Sequence, residues 1–112
     1  MASGLLNQVL ITSNTWQQIY GASPAGKTAT INILACNLSN SASKIFLTAS
    51  NTAYTNPPAN SYLEYNTSLG PNDVFERGGI VLGQGSYVYF RTEYTGYATT
   101  SNVAVTVTGY EV

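Results

Sequence analysis

Short runs in which apolar and polar side chains alternate, each closed by Gly, Pro, Asn or Ser, recur along the whole chain. A period of two is that of a strand with one face buried, and the close, even spacing is that of a sandwich or barrel. The first predicted strands are residues 8–12 and 15–20, with Ser13-Asn14 as a tight turn between them. A loop with Pro24 separates them from a third strand, 27–38, whose phase changes along its length: Ala29, Ile31 and Ile33 share one face, and Leu34, Cys36 and Leu38 the other. Either a bulge shifts the register there, or both faces are covered, one of them by another subunit. Residues 44–49, with Ile45 and Leu47 inward, are expected to return as the other arm of a long hairpin.

Residues 50–60 contain Asn56-Pro57-Pro58 and no apolar period, so they are expected as an irregular surface loop. Strands follow at 62–65, at 74–77 after a turn at 69–73, and at 80–82 once Gly78-Gly79 has broken the run. The Gly83-Gln84-Gly85 turn leads into 87–93, where Val88 and Phe90 face one way and Tyr87 and Tyr89 the other. The last strand, 102–110, alternates most regularly, with Val103, Val105 and Val107 inward. No segment carries a helical period. The expected fold is all-β, an antiparallel β-sandwich of jelly-roll type with about eight strands, and an up-and-down barrel is the alternative. The 112 residues suit one domain, 1–112, with a single modest core.

Composition narrows the function classes. Only 8% of residues are charged, against about 25% in ordinary domains, and polarity comes from Ser, Thr and Asn instead. A net charge of -1 with four scattered basic residues gives no field to gather phosphates, so no nucleic-acid partner is expected. No apolar run approaches the roughly 20 residues of a membrane span. The opening Met1-Ala2-Ser3-Gly4-Leu5-Leu6 lacks the basic and apolar regions of a secretory signal, so none is expected. The single Cys36 has no internal disulfide partner, is expected as a buried small hydrophobe, and fits assembly in a reducing cytosol.

Histidine is absent, which removes the usual general base and the commonest metal ligand. Nothing in the spacing of Glu64, Asp73, Glu76, Glu93 and Glu111 sets two carboxylates across one cleft, so no catalysis is expected. Asn72 and Asp73 fit turn capping rather than calcium binding, and the glycine pairs precede no helix that would aim at a phosphate, so neither metal nor cofactor is expected. Glu76-Arg77 and Arg91-x-Glu93 put opposite charges on what should be neighbouring strands, as cross-strand pairs or as partner contacts. Asn37-Leu38-Ser39 and Asn66-Thr67-Ser68 match the glycosylation sequon and, without a secretory signal, are taken as chance.

Tyrosine is the one unusual enrichment: Tyr54, Tyr62, Tyr65, Tyr87, Tyr89, Tyr94 and Tyr97 all fall from residue 54 onward. They suit strand packing, a subunit interface or a glycan-binding surface, since Tyr joins a rigid apolar ring to a polar tip. Trp16, as a lone strand tryptophan, is expected in the core, although it would serve an interface as well. The candidate interface residues are therefore Trp16, Leu34, Leu38, Tyr62, Tyr65, Arg77, Tyr87, Tyr89, Arg91 and Tyr94.

Taken in order, Trp16-Gln17-Gln18-Ile19-Tyr20, the Ala29 to Leu38 run with its Asn37, Tyr62-Leu63-Glu64-Tyr65, Glu76-Arg77-Gly78-Gly79-Ile80-Val81-Leu82 and the Val-rich last strand form a pattern. It resembles the small β-sandwich virion proteins of tailed bacteriophages, cyanophages especially, over nearly the whole chain. The resemblance implies a non-enzymatic capsid decoration (cement) protein, commonly a homotrimer, that bridges capsomers of the major capsid protein on the virion surface after assembly in the host cytoplasm. Fibre, baseplate or adhesion modules that bind host glycans share the pattern and are the alternative. A chain that is short, sparsely charged and apolar on both sides of its strands suits cement, which must bury surface against its own copies and the shell.

Overall fold

The alternating runs pair as strands β1 (Ser3–Ile11), β2 (Gln17–Tyr20), β3 (Ala29–Asn37), β4 (Ser43–Ser50), β5 (Tyr62–Leu69), β6 (Val74–Leu82), β7 (Tyr87–Tyr94) and β8 (Val103–Glu111). This is a computed structural model, in which residues 3–94 and 102–112 are described, Tyr94 by its backbone alone. The strands form two four-stranded sheets, ordered β1-β8-β3-β6 and β2-β7-β4-β5, and every pairing is antiparallel. Among consecutive strands only β4 and β5 are neighbours, and the chain otherwise alternates between sheets. That interleaving is a jelly roll, so the sandwich is as expected.

The predicted hairpins are not. Residues 8–12 and 15–20, 27–38 and 44–49, and 80–82 and 87–93 each end in different sheets. Ser, Asn and Gly turns serve a crossing between sheets as well as a hairpin, and the choice is made by distant partners: β3 lies between β8 and β6.

Burial follows the period. Ile11, Ile19, Ile31, Ile33, Ile45, Leu47, Val88, Phe90, Val103, Val105 and Val107 meet between the sheets, each 0–1% exposed. Removing such a side chain from water is worth roughly 1.5–3 kcal/mol. β3 keeps an unbroken register against β8 from Ala29 opposite Glu111 to Asn37 opposite Val103, so its change of phase is no bulge. Its odd positions are buried, and its even positions, Thr30, Asn32, Leu34 and Cys36, turn outward and are apolar only in the second half of the strand. The bulge lies on β6 instead, where Gly78-Gly79 was expected to end the strand. Ile31 faces Ile80 and Ile33 faces Arg77, leaving one extra residue on β6, and Gly79 takes it up at φ 69° while donating its N–H to Asn32 Oδ1 at 3.0 Å. On the central strand β8, a Cβ at Gly109 would lie 2.0 Å from the Thr30 carbonyl oxygen, so only glycine fits between β1 and β3 there.

At the end of β2, the buried Tyr20 hydroxyl donates to the Glu111 carboxylate of the opposite sheet. Burial first, then that hydrogen bond and the carboxylate charge, hold the phenol proton far above the ordinary tyrosine range. In the unfolded chain the same phenol titrates near ~10, so above that pH the unfolded state loses a proton that the folded state keeps, and stability falls. Urea midpoints measured from pH 8 to 11 are expected to drop more steeply for the parent than for Tyr20→Phe; parallel slopes would contradict the assignment.

Candidate functional site

No cleft gathers ionisable groups, and no cluster of potential metal ligands exists among the described residues. The features that ask for a partner lie on the two outer sheet faces.

On the β1-β8-β3-β6 sheet the registers line up outward side chains in cross-strand rows. Leu10, Ala104, Cys36 and Val74 form one row, and Gln8, Thr106, Leu34 and Glu76 the next. Leu5, Thr108 and Asn32 follow, and then Ser3, Tyr110, Thr30 and Val81. Leu10, Leu34, Val74 and Val81 are 56, 43, 51 and 66% exposed, and Glu76 is the only charge in these rows. So many exposed large apolar side chains on one face, with so little charge among them, are unusual on an isolated domain. A shallow depression of about 200 Å³ lies beside Leu34, between Asn32, Glu76, Thr106 and Thr108. Leu38, just past β3, is exposed and donates its N–H to the Asn102 carbonyl. Cys36 does not sit in the core as expected, because the even positions of β3 point outward; it is half-buried in its row.

The β2-β7-β4-β5 sheet carries an aromatic cluster on its outer face. Phe46 is its buried base, at 3% exposure, with Tyr62 and Tyr65 edge-on to it at 6.4 and 5.3 Å and to each other at 5.0 Å. Tyr62 and Tyr65 are three apart, which a regular strand would send to opposite faces. A register shift in β5 against β4, with Thr48 opposite Tyr62 and Leu47 opposite Glu64, leaves one extra residue between them and brings them together. Trp16, half-buried just before β2 and not in the core, stands 5.8 Å from the Tyr62 ring at 54°. The Arg91 guanidinium lies 4.2 Å from the Phe46 ring centroid and 5.4 Å from that of Trp16, and its Nη1 donates to Glu93 at 2.8 Å. Between the 13–15 turn and the 51–60 loop these groups leave a recess of about 550 Å³, lined by Asn14, Thr15, Trp16, Thr55, Asn56, Tyr62 and Arg91.

The other candidates are structural. Tyr87 and Tyr89 stack at 6.3 Å, and buried Tyr89 accepts the Tyr54 N–H through its hydroxyl, so it supports the 51–60 loop. Arg77 pairs with Glu64 at 2.7 Å and with the Leu63 carbonyl, tying β6 to β5 at the edge of the sandwich. The pairing expected between the two charged motifs does not form, because β6 and β7 belong to different sheets. The side chain of Tyr94, and all of Tyr97, lie outside the described residues.

Reading the sequence missed Phe46, the rim residues Asn14, Thr55 and Asn56, and the role of Asn37. The Asn37 side chain is wholly buried, so a sequon there cannot receive a glycan. Its amide donates to the carbonyls of Ser41, Leu69 and Gly70 and accepts from the N–H and hydroxyl of Ser39. An Asn that ends an apolar strand ahead of Ser-rich turn residues was the available signal.

Compared with protein-family models, curated proteins and solved structures, the chain matches none.

Proposed function

We propose that this chain is a non-catalytic virion structural protein, a decoration or cement protein that binds copies of itself and the major capsid protein through the outer face of β1-β8-β3-β6. The observation that carries the reading is that face: cross-strand rows in which exposed Leu, Val and Tyr alternate with uncharged Thr, Ser, Asn and Gln, with Glu76 their single charge. Strands of nine residues in a sheet four strands wide span about 30 by 19 Å, or roughly 600 Å², most of the ~800 Å² that one partner gives to a stable interface. The outward apolar Leu34 and Cys36 of β3 have the same explanation, since a partner on this face would cover them.

Four of the five acidic side chains support a structural role because they are already engaged. Glu64 binds Arg77 and Thr67, Glu93 binds Arg91, Glu111 binds Tyr20, and Asp73 Oδ1 accepts the Val74 N–H to close its turn. The resemblance to phage virion proteins turns a sticky, inert sandwich into a cement protein, a homotrimer on the capsid surface assembled in the host cytoplasm. Electron cryo-microscopy of the particle tests the reading: density for this domain is expected at capsomer junctions, and density confined to tail or fibres would overturn it in favour of an adhesion or baseplate module.

A further inference from the structure

The recess between the 13–15 turn and the 51–60 loop is on the face opposite the proposed interface and is used by nothing in that assembly. We infer that it is a saccharide site, taking an uncharged pyranose against Trp16 and Tyr62. This does not rest on the capsid reading, since a decoration protein and a fibre module could equally carry it.

Shape comes first. The Trp16 and Tyr62 rings are tilted by 54° at 5.8 Å, forming a bent apolar corner rather than a flat slot. A planar base gains most from a parallel ring, whereas a puckered sugar presents C–H groups on more than one side and fits a corner. At about 550 Å³ the recess lies within the usual range of small-molecule sites.

Polarity points the same way. Asn14, Thr15, Thr55 and Asn56 line the rim with amides and hydroxyls, groups that both donate and accept, as sugar hydroxyls do. Arg91 is the one charge in the lining, and its guanidinium is already bound to Glu93 and held over Phe46. That offsets the field an anionic ligand would need and leaves a planar floor.

Part of the site is held in advance, which lowers the ordering cost of binding. Thr15 Oγ1 is held by Ser13 and Gln17, and the Tyr54 N–H is tied to Tyr89. A turn at Ala59–Ser61, with Ser61 donating to the Pro58 carbonyl, closes the 51–60 loop onto β5.

Trp16 is the only tryptophan of the chain, so its emission reports directly on the recess. The intact protein is titrated to about 50 mM with the methyl pyranosides of glucose, galactose, mannose and N-acetylglucosamine, and separately with a proline-rich decapeptide, the other ligand class that favours aromatic corners. At least one sugar is expected to give a saturable change, weakened about tenfold by Tyr62→Ala or by Asn56→Ala on the exposed loop, and unaltered by Tyr110→Ala on the opposite face. Asn56→Ala keeps the test decisive if Tyr62→Ala does not fold. The inference is overturned if no sugar saturates, if only the peptide does, or if neither recess variant shifts the titration.

Discussion

Replacing Asn37 with Asp is expected to remove a large part of the stability of the domain at neutral pH. The side chain is 0% exposed, and its amide donates to three carbonyls, those of Ser41, Leu69 and Gly70. These belong to the β3–β4 loop and the end of β5, so one amide joins the end of β3 in one sheet to the end of β5 in the other. An Asp of the same shape offers no donor when ionised and turns a carboxylate towards three carbonyl oxygens. Each buried group left unpaired costs about 1–3 kcal/mol, so a loss on the order of 3–5 kcal/mol is expected, from a total of roughly 5–15 kcal/mol. The melting temperature should fall by about 10–20 °C.

The sign of the pH dependence separates this cause from mere disruption. Burial and the facing carbonyls raise the folded pKa of the introduced acid above its unfolded value near ~3.9, so the penalty is greatest at neutral pH and eases as the solution is acidified. Protonated Asp recovers one donor. Asn37→Ala should be destabilised at all pH values with no such recovery. A urea midpoint for Asn37→Asp equal to that of the parent at pH 7 would contradict the role given to Asn37.

What the sequence made legible follows from which signals are local. The period of two marks a run in each of the eight strands but splits β6 into two at Gly78-Gly79; the inward set Val103, Val105 and Val107 and the odd positions of β3 can be read directly, because alternation and burial are one property. Strand pairing was not legible. The Ser13-Asn14 and Gly83-Gln84-Gly85 turns look like hairpin turns, yet they cross between sheets, and only contacts between residues far apart in sequence decide that. The sandwich could therefore be expected without its topology.

Of the candidate surfaces, Trp16, Tyr62, Tyr65 and Arg91 were named from composition and do meet on one face. Their meeting depends on the register shift in β5 between Tyr62 and Glu64, which a simple alternating pattern cannot reveal, and on Phe46, which reads in sequence as one more apolar strand residue. Leu34 was singled out by the change of phase in β3, and the continuous register of β3 with β8 puts it in the middle of the opposite face. The same register gives it neighbours that could not be guessed, Thr106 on one side and Glu76 on the other.

That neighbourhood decides how the interface should respond to substitution. A Lys at position 34 would stand opposite Glu76 on β6, where opposite charges across strands are favourable by about 0.2–1 kcal/mol, so the fold should tolerate it. Lys at position 10, in the next row on the edge strand β1, should likewise be tolerated. Both introduce charges that lose their hydration when the face is covered; at position 34 the Lys keeps only Glu76 as a partner, whereas at position 10 it has none in its row, and a desolvated, unpaired charge in an interface costs several kcal/mol. Leu34→Lys with Leu10→Lys is therefore expected to shift self-association by about a thousandfold or more while leaving the circular dichroism and thermal transition of the protomer close to those of the isolated fold.

Sedimentation velocity of the purified chain, parent against Leu34→Lys/Leu10→Lys, is the most direct test of the claim that the β1-β8-β3-β6 face joins copies of this protein. The parent is expected to sediment as an assembly larger than the 11.9 kDa protomer, a trimer if the resemblance to phage cement proteins holds, and the variant as the protomer alone. A parent that sediments as a protomer at every concentration, or an assembly that survives both lysines, would contradict it.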